Sequence, residues 1–283
     1  MKNRPVYGWI IVITLSLSVI LFGGIPWLGN RLVSMAAFYP QPGIQVDPRS
    51  FPVPIETVFL RTQDGVRISA FYLPRPDARH AILFLHGNAG NASHRLVDAV
   101  RLWESGVNVL LLDYRGYGLS EGNPSEQGVY LDGEAGLDYL VGELGFDYTD
   151  VVLFGRSIGS TVAVHIAQEK RLGGLILVSP LTSGREMARD QKMGWVSPLI
   201  GNPFDSIGKI ANVSSPVMVI HGERDRVIPV QMGEEIYARA PAPTGFHLIP
   251  DAGHNDLIDH SSERFFGYVS AFLAGLADSG AGN

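Results

Sequence analysis

The stretch Val151-Val152-Leu153-Phe154-Gly155-Arg156-Ser157-Ile158-Gly159 decides how the rest of the sequence is interpreted. Its first four residues form a short apolar run typical of a buried strand, and a helical pattern follows from Thr161 to Ala167. Between them, Gly-x-Ser-x-Gly puts Ser157 on a strained turn that projects its hydroxyl above a sheet. Glycine at positions 155 and 159 avoids collisions there. We predict that Ser157 is a nucleophile; a chance match of the pattern is the alternative.

Strand-like apolar runs and helical patterns alternate along the chain on both sides of this motif. The predicted strands are Ile55–Arg61, Val66–Leu73, Ala81–Leu85, Val107–Leu112, Val151–Phe154, Leu175–Ser179, Pro216–Ile220 and Phe246–Ile249. The predicted helices are Ser93–Glu104, Ser125–Gly142, Ile158–Lys170, Val230–Ala240 and Ser261–Leu276. A turn signal, Thr62-Gln63-Asp64-Gly65, joins the first two strands as a hairpin. The sequence therefore predicts an α/β fold with a mostly parallel eight-stranded sheet flanked by helices.

A serine hydroxyl needs a base to take its proton, and His254 is the predicted base. It lies in Asp251-Ala252-Gly253-His254-Asn255, after the last predicted strand and before the last helix. Loops at the carboxyl edge of a parallel sheet are where the sites of α/β folds gather. His221, which ends another predicted strand, is the alternative base. An ordinary solvated loop histidine is the other interpretation of His254.

The base in turn needs a carboxylate that fixes its tautomer, and Asp225 is the predicted partner. It follows the strand Pro216–Ile220, which gives the chain order Ser, Asp, His. Glu223, two residues away, is the alternative, and a surface loop carboxylate is the simplest other interpretation. Asp113 also ends a strand, but it precedes the serine and is predicted to be structural.

An oxyanion needs backbone N–H donors near the serine. The third predicted strand runs into the turn His86-Gly87-Asn88-Ala89-Gly90-Asn91, which can offer one such donor. We assign the predicted oxyanion hole to the backbone amides of Asn88 and Ile158. His86 is expected to fix this turn rather than to act as a second base.

The segment from Gly8 to Leu28 contains no charged residue. As a helix it would be about 31 Å long at ~1.5 Å per residue, close to the ~30 Å core of a bilayer. Lys2 and Arg4 precede it, and only Arg31 closely follows it. We predict a single-pass membrane anchor with the N-terminus in the cytoplasm and the catalytic domain outside. A signal peptide cleaved near Ser34-Met35-Ala36 and a buried or interfacial helix are the alternatives.

The predicted organisation is a membrane anchor at residues 1–31, a linker at 32–54, the α/β domain at 55–277, and a flexible tail at 278–283. Residues 180–215, between two predicted strands, are expected to form a small cap. This stretch is apolar, with residues such as Met193, Trp195 and Phe204. An acyl-chain pocket that faces the membrane and ordinary packing of the cap onto the body both explain this composition.

Composition excludes several classes of function. The formal net charge is -6 and no basic stripe occurs in the body, so nucleic acid is not a predicted partner. The sequence contains no cysteine, which excludes disulfides, thiolate metal sites and a cysteine nucleophile. The glycine-rich turn lacks a P-loop lysine and the GxGxxG spacing, so it is not a predicted nucleotide site. No metal site is predicted.

Five segments carry a family resemblance: HGNAGN (His86 to Asn91), LLDYRGYGLSEG (Leu111 to Gly122), LFGRSIGS (Leu153 to Ser160), VIHGERDRVIP (Val219 to Pro229) and AGHND (Ala252 to Asp256). Together they resemble the alpha/beta-hydrolase superfamily over roughly residues 50–275. More narrowly they resemble its membrane-anchored branch that includes alpha/beta hydrolase domain-containing protein thirteen. The resemblance implies hydrolysis of a carboxylic ester or thioester without a cofactor. A related branch removes palmitoyl groups from proteins, so an acyl-protein thioesterase is an alternative.

Two functional hypotheses of different classes follow. The first is a serine hydrolase that cleaves an ester or thioester, including a lipid-like one, through an acyl-enzyme intermediate. The second is a membrane-tethered binding protein that keeps the fold without turnover. The presence of Ser157, Asp225 and His254 together favours the hydrolase.

Overall fold

The computed structural model describes residues 25–280. Most of the predicted membrane anchor, and the end of the predicted tail, therefore lie outside the described residues. Within residues 25–280, no helix combines the length and the apolar character that crossing a bilayer requires.

One twisted sheet of eight strands forms the centre of the fold. The strands are β1 Glu56–Arg61, β2 Arg67–Leu73, β3 Ala81–Leu85, β4 Asn108–Leu112, β5 Val151–Arg156, β6 Gly174–Val178, β7 Val217–Gly222 and β8 Pro243–Ile249. Their order across the sheet is β8-β7-β6-β5-β3-β4-β2-β1. β2 pairs antiparallel with both β1 and β4, and the other five pairings are parallel. The predicted mostly parallel eight-stranded sheet is confirmed.

Ten α-helices within the described residues surround this sheet. They are α1 Ile25–Ala37, α2 Leu96–Glu104, α3 Glu126–Asp138, α4 Ile158–Ala167, α5 Gly184–Asp190, α6 Ser197–Ile200, α7 Ser206–Lys209, α8 Val230–Arg239, α9 Leu257–His260 and α10 Ser262–Gly280. A π-helical turn, Tyr139–Glu143, extends α3. All five predicted helices are present, with boundaries that differ by a few residues.

The apolar central strands bury both of their faces. In β3, Leu83 and Leu85 join the core on one side of the sheet, and Ile82 and Phe84 join the core on the other side. This alternation follows from the two-residue period of a strand. α3, α4 and α8 cover the first face, and α2 and α10 cover the second. The edge strands β1 and β8 are partly exposed.

The segment predicted as a cap lies between β6 and β7 and contains the short helices α5, α6 and α7. α1 packs directly on α6. The two helices are so close that a Cβ atom added to Gly29 would collide with the carbonyl oxygen of Leu199. α1 crosses the predicted boundary between anchor and linker. After it, Tyr39–Pro40 pairs in parallel with Ala89–Gly90. The N-terminal segment is thus attached both to the cap and to the glycine-rich turn after β3.

Candidate active site

Ser157 occupies a sharp turn between β5, which ends at Arg156, and α4, which begins at Ile158. Its backbone angles are φ 54° and ψ −121°. A positive φ is unfavourable for a residue with a side chain, so this conformation is strained. The turn is held by a hydrogen bond from the Ser157 N–H to the carbonyl of Val178, at 2.8 Å. The Ser157 residue is 9% exposed.

The two glycines of the motif are needed because the backbone is crowded around this turn. A Cβ atom on Gly155 would lie 2.6 Å from the carbonyl oxygen of Gly159. A Cβ atom on Gly159 would collide with the carbonyl oxygen of Leu85, at the end of β3. Larger residues would therefore push α4 away from the sheet, which explains the spacing of the motif.

The imidazole of His254 is hydrogen bonded to the carboxylate of Asp225, with 2.7 Å between Nδ1 and Oδ2. Because a carboxylate only accepts, this bond assigns the proton to Nδ1 and leaves Nε2 as the basic nitrogen. The other carboxylate oxygen, Oδ1, accepts the N–H groups of Val227 at 2.9 Å and Ile228 at 2.8 Å. The structure therefore brings these two predicted site residues together in a fixed geometry.

Asp225 is surrounded by donors, and they control its ionisation. Burial by itself would raise the pKa of Asp225, but hydrogen bonds from His221, His254 and the Ile228 N–H outweigh burial. The net result holds the pKa of this carboxyl well below its usual range. Asp225 is therefore an anion at neutral pH, which is the form that orients an imidazole and stabilises an imidazolium.

The alternative base, His221, also lies next to the carboxylate of Asp225, but it is fully buried. Its Nε2 is 3.0 Å from the carbonyl oxygen of Ile228 and 3.5 Å from Oδ2 of Asp225. Because both partners accept, its proton is on Nε2. The alternative acid, Glu223, is exposed and accepts the N–H of Asp251 at 3.1 Å. Among the described residues, only Asp225 is hydrogen bonded to the His254 imidazole.

Ser157 and His254 are connected through the side chain of Arg156 rather than by a direct bond. Within residues 25–280, the Ser157 hydroxyl and the His254 imidazole form no hydrogen bond with each other. Catalytic hydrogen bonds are often long without substrate and shorten only when it binds. The Arg156 guanidinium spans the gap, because its Nη2 donates to the carbonyl oxygen of His254 at 3.0 Å.

The turn after β3 lies beside the serine, as an oxyanion donor requires. A Cβ atom on Gly87 would be 3.6 Å from the Cβ atom of Ser157. The carbonyl of Asn88 accepts from the Tyr39 N–H at 2.9 Å and the Tyr117 hydroxyl at 2.6 Å, which fixes this peptide. In the described turns and loops, the Asn88 N–H donates to no backbone carbonyl. The Ile158 N–H is the first of α4 and has no acceptor within the helix.

His86 and Asp113 hold this turn in place. His86 Nδ1 is 2.6 Å from the carbonyl oxygen of Gly87, and its Nε2 is 3.6 Å from Oδ1 of Asp113. The same carboxylate oxygen accepts the Ala92 N–H at 2.7 Å. Both residues are almost fully buried. These contacts agree with the structural roles that the sequence suggests for them.

Two residues that the sequence analysis did not single out support the site. Arg156 occupies a variable position of the Gly-x-Ser-x-Gly pattern, so the motif itself carried no signal for it. Asn91 ends the glycine-rich turn and is fully buried. Its side-chain amide donates to the carbonyls of Gln41 at 3.0 Å and Gly43 at 2.7 Å. Asn91 therefore ties the segment before β1 to the turn that carries Asn88.

Within residues 25–280, no group of three or more His, Asp or Glu side chains is arranged to hold a metal ion. The polar side chains of the candidate site are the Ser157 hydroxyl, the His254 imidazole and the Asp225 carboxylate. This chemistry suits activation of a hydroxyl and stabilisation of negative charge on a substrate oxygen.

Comparisons with known proteins concern the family and the fold of the chain. Residues 76–208 match a family model described as Serine aminopeptidase, S33. The alpha/beta hydrolase domain-containing protein aho-3 of Caenorhabditis elegans is 34% identical over 244 residues, with 85% of this chain and 72% of that protein covered. The alpha/beta hydrolase domain-containing protein WAV2 of Arabidopsis thaliana is 31% identical over 267 residues, with 80% and 86% covered.

Among solved structures, an esterase from Pyrococcus furiosus superposes with a TM-score of 0.69 at 22% identity, covering 85% of this chain and 98% of that chain. An esterase from Exiguobacterium antarcticum gives a TM-score of 0.60 at 17% identity, covering 77% and 100%. At these identities the likeness concerns the fold.

Removal of the Asn91 amide is expected to weaken the glycine-rich turn. We predict that Asn91→Ala lowers the free energy of unfolding by about 1–3 kcal/mol, because the hydrogen bonds of a fully buried side chain are lost. Asn123→Ala, at an exposed position, serves as the matched control and should change stability by less than ~0.5 kcal/mol. Urea denaturation of both variants measures the difference. Equal stability of the two would contradict the role given to Asn91.

Proposed function

The chain belongs to the alpha/beta-hydrolase superfamily, and on that premise we propose that it is a serine hydrolase that cleaves a carboxylic ester or thioester. Ser157 is the proposed nucleophile, His254 the base and Asp225 its partner. The observation that carries the proposal is the 2.7 Å bond between His254 Nδ1 and Asp225. This bond leaves the Nε2 atom of His254 basic. Arg156, the residue next to the strained serine, donates a hydrogen bond to the carbonyl of His254 and so holds its loop.

The proposed reaction begins when His254 Nε2 takes the hydroxyl proton of Ser157 as the serine oxygen attacks an acyl carbonyl. The backbone N–H groups of Asn88 and Ile158 stabilise the oxyanion of the tetrahedral intermediate. His254 then gives its proton to the departing alcohol or thiol, which leaves an acyl-enzyme. Water attacks this acyl-enzyme with His254 again as the base, and the serine is regenerated.

The first test is covalent labelling of the full-length chain with a fluorophosphonate probe, which reacts only with an activated serine. We expect rapid labelling of the wild type and none of Ser157→Ala, because the attacking oxygen is removed. Ser179→Ala is the matched control. Ser179 also directly follows a strand, has a positive φ of 46° and is buried, but no helix follows it directly. It should label like the wild type.

An unlabelled wild type would exclude the hydrolase and favour the alternative of another class, a non-catalytic membrane-tethered binding protein on the hydrolase fold. Labelling that survives Ser157→Ala but is lost in Ser179→Ala would show that Ser179 is the reactive serine and would contradict the role proposed for Ser157. The observation that favours the hydrolase over the binding protein is the bond between Asp225 and the His254 imidazole, since an orienting carboxylate is of no use to a simple binding site.

The second test concerns the substrate, for which an acyl-protein thioesterase is the alternative. The cap between β6 and β7 carries exposed apolar residues, among them Trp195 at 75% and Met193 at 44% exposure. On this basis we expect kcat/KM for p-nitrophenyl esters to rise at least tenfold from acetate to decanoate. S-acyl thioesters and aminoacyl p-nitroanilides complete the panel. The anilides are included because the matching family model is described as a serine aminopeptidase. A sharp preference for acetate would contradict a long-chain substrate, and preference for the anilides would make the protein a peptidase.

We also propose that residues 8–28 span a membrane once, with the N-terminus in the cytoplasm and the catalytic domain outside, as in the membrane-anchored branch that the sequence resembles. Support comes from the absence of charged residues between positions 8 and 28 and from the exposed apolar residues of α1. α1 begins at Ile25, packs on the cap, and carries exposed apolar residues such as Met35, which is 67% exposed. Apolar surface therefore follows directly after the proposed anchor.

The absence of cysteine in the sequence makes the third test simple. Asn3→Cys and Ser270→Cys each introduce a single thiol, before the anchor and on an exposed position of α10. A membrane-impermeant maleimide should label only Ser270→Cys on intact cells, and the protein should resist alkaline extraction from membranes. The reverse labelling would invert the orientation. A mature N-terminus after residue 36 in mass spectrometry would identify a cleaved signal peptide instead.

A further inference from the structure

Arg156 is the last residue of β5 and directly precedes Ser157. Only 7% of this arginine is exposed, and its guanidinium contacts the loop that carries His254. Its Nη2 donates to the carbonyl oxygen of His254 at 3.0 Å and lies 3.4 Å from that of Asn255. A buried cation thus bonds to the backbone of the proposed base.

The charges around Arg156 do not give it a direct partner. Burial, and next the charge of Arg95, lower the pKa of Arg156. The carboxylates of Asp98, Asp259 and Asp225 act in the opposite direction. Within the described part of the chain, however, none of them lies within 4.0 Å of the guanidinium as an ion pair would require. Burying a cation without a close anion costs stability. Ion pairing therefore does not explain why a buried arginine occupies this position beside the His254 loop.

The loop of His254 is held at several points. The Gly253 N–H donates to Oδ1 of Asp256 at 2.7 Å, and the Arg224 N–H donates to the carbonyl of Ala252 at 2.8 Å. These bonds fix the loop to itself and to the segment of Asp225. The carbonyls of His254 and Asn255 accept hydrogen bonds from Arg156. Arg156 ends the strand that leads directly into Ser157, so these bonds join the His254 loop to the strand of the proposed nucleophile.

We infer that Arg156 is a positioning residue that sets the distance between the base and the nucleophile. Asp225 fixes the His254 imidazole at Nδ1, and Arg156 fixes the His254 carbonyl from the residue next to Ser157. With both points fixed, Nε2 has one direction in which to face the serine hydroxyl. The inference rests on the proposed function, because it assigns Arg156 a role in the reaction of Ser157 without contact with the substrate.

Arg156→Met keeps the length and the apolar packing of the side chain and removes both hydrogen bonds. We expect the second-order rate constant for fluorophosphonate labelling of Ser157 to fall about ten- to hundredfold, since a displacement of about 1 Å can cost a hundredfold in rate. For a short p-nitrophenyl ester, kcat should fall by a similar factor while KM stays within twofold. Arg156→Lys should label at an intermediate rate, because one ammonium replaces the planar guanidinium only in part.

Arg75→Met is the matched control. The Arg75 guanidinium also donates to the backbone, in this case to one carbonyl, that of Trp103 at 3.1 Å, but it follows β2 at the opposite edge of the sheet. Its labelling rate should equal that of the wild type. Thermal unfolding of all variants separates loss of folding from loss of reactivity. The full-length chain is used throughout.

The outcomes distinguish the two proposals. A wild type that labels, together with a folded Arg156→Met that labels equally fast, overturns the inference and leaves the proposed function intact. An unlabelled wild type overturns both. If Arg156→Met does not fold, Arg156→Lys decides. A folded Lys variant with unchanged labelling and kcat overturns the inference, and one that labels severalfold more slowly with an unchanged KM supports it.

Discussion

The strained backbone at Ser157 is the constraint on which the rest of the site depends. A positive φ at a residue with a side chain costs on the order of 1–3 kcal/mol, and it persists only where the surroundings permit no other conformation. Here β5 is fixed between β3 and β6, and α4 is pressed against the end of β3 at Gly159. The apolar core on both faces of the sheet therefore maintains the strained turn that carries the Ser157 hydroxyl.

The second element of the site is an anion that is expensive to bury. Asp225 is ionised because His221, His254 and two backbone N–H groups together compensate its lost hydration. Each of these donors also restricts geometry, so the compensation of charge and the orientation of His254 have the same origin. His221 is thus explained without a direct chemical role. Its buried ring lies 3.5 Å from the same carboxylate, and His254 is the more exposed of the two imidazoles.

The sequence predicted the parts of the molecule that depend on local pattern. The eight strands followed from short apolar runs, and the pairing of Asp225 with His254 followed from their positions after β7 and β8. The parts that depend on distant contacts were not predictable. α1 ends in what the sequence suggested was a linker, because its stability comes from packing on the cap at Leu199. Arg156 was missed for the same reason, since its partners are carbonyls about a hundred residues away in the chain.

The direct pairing of β6 with β7 has an evolutionary consequence. Val178 lies opposite Ile220, so the sheet is continuous although the whole cap separates these strands in the chain. Insertions or deletions between them leave the register of both strands unchanged, since long surface excursions cost little free energy for each added residue. The cap is therefore a module that can diverge in length and composition among descendants of this protein. The sequence of the cap can thus change while β6, β7 and the loop that carries Asp225 are inherited intact.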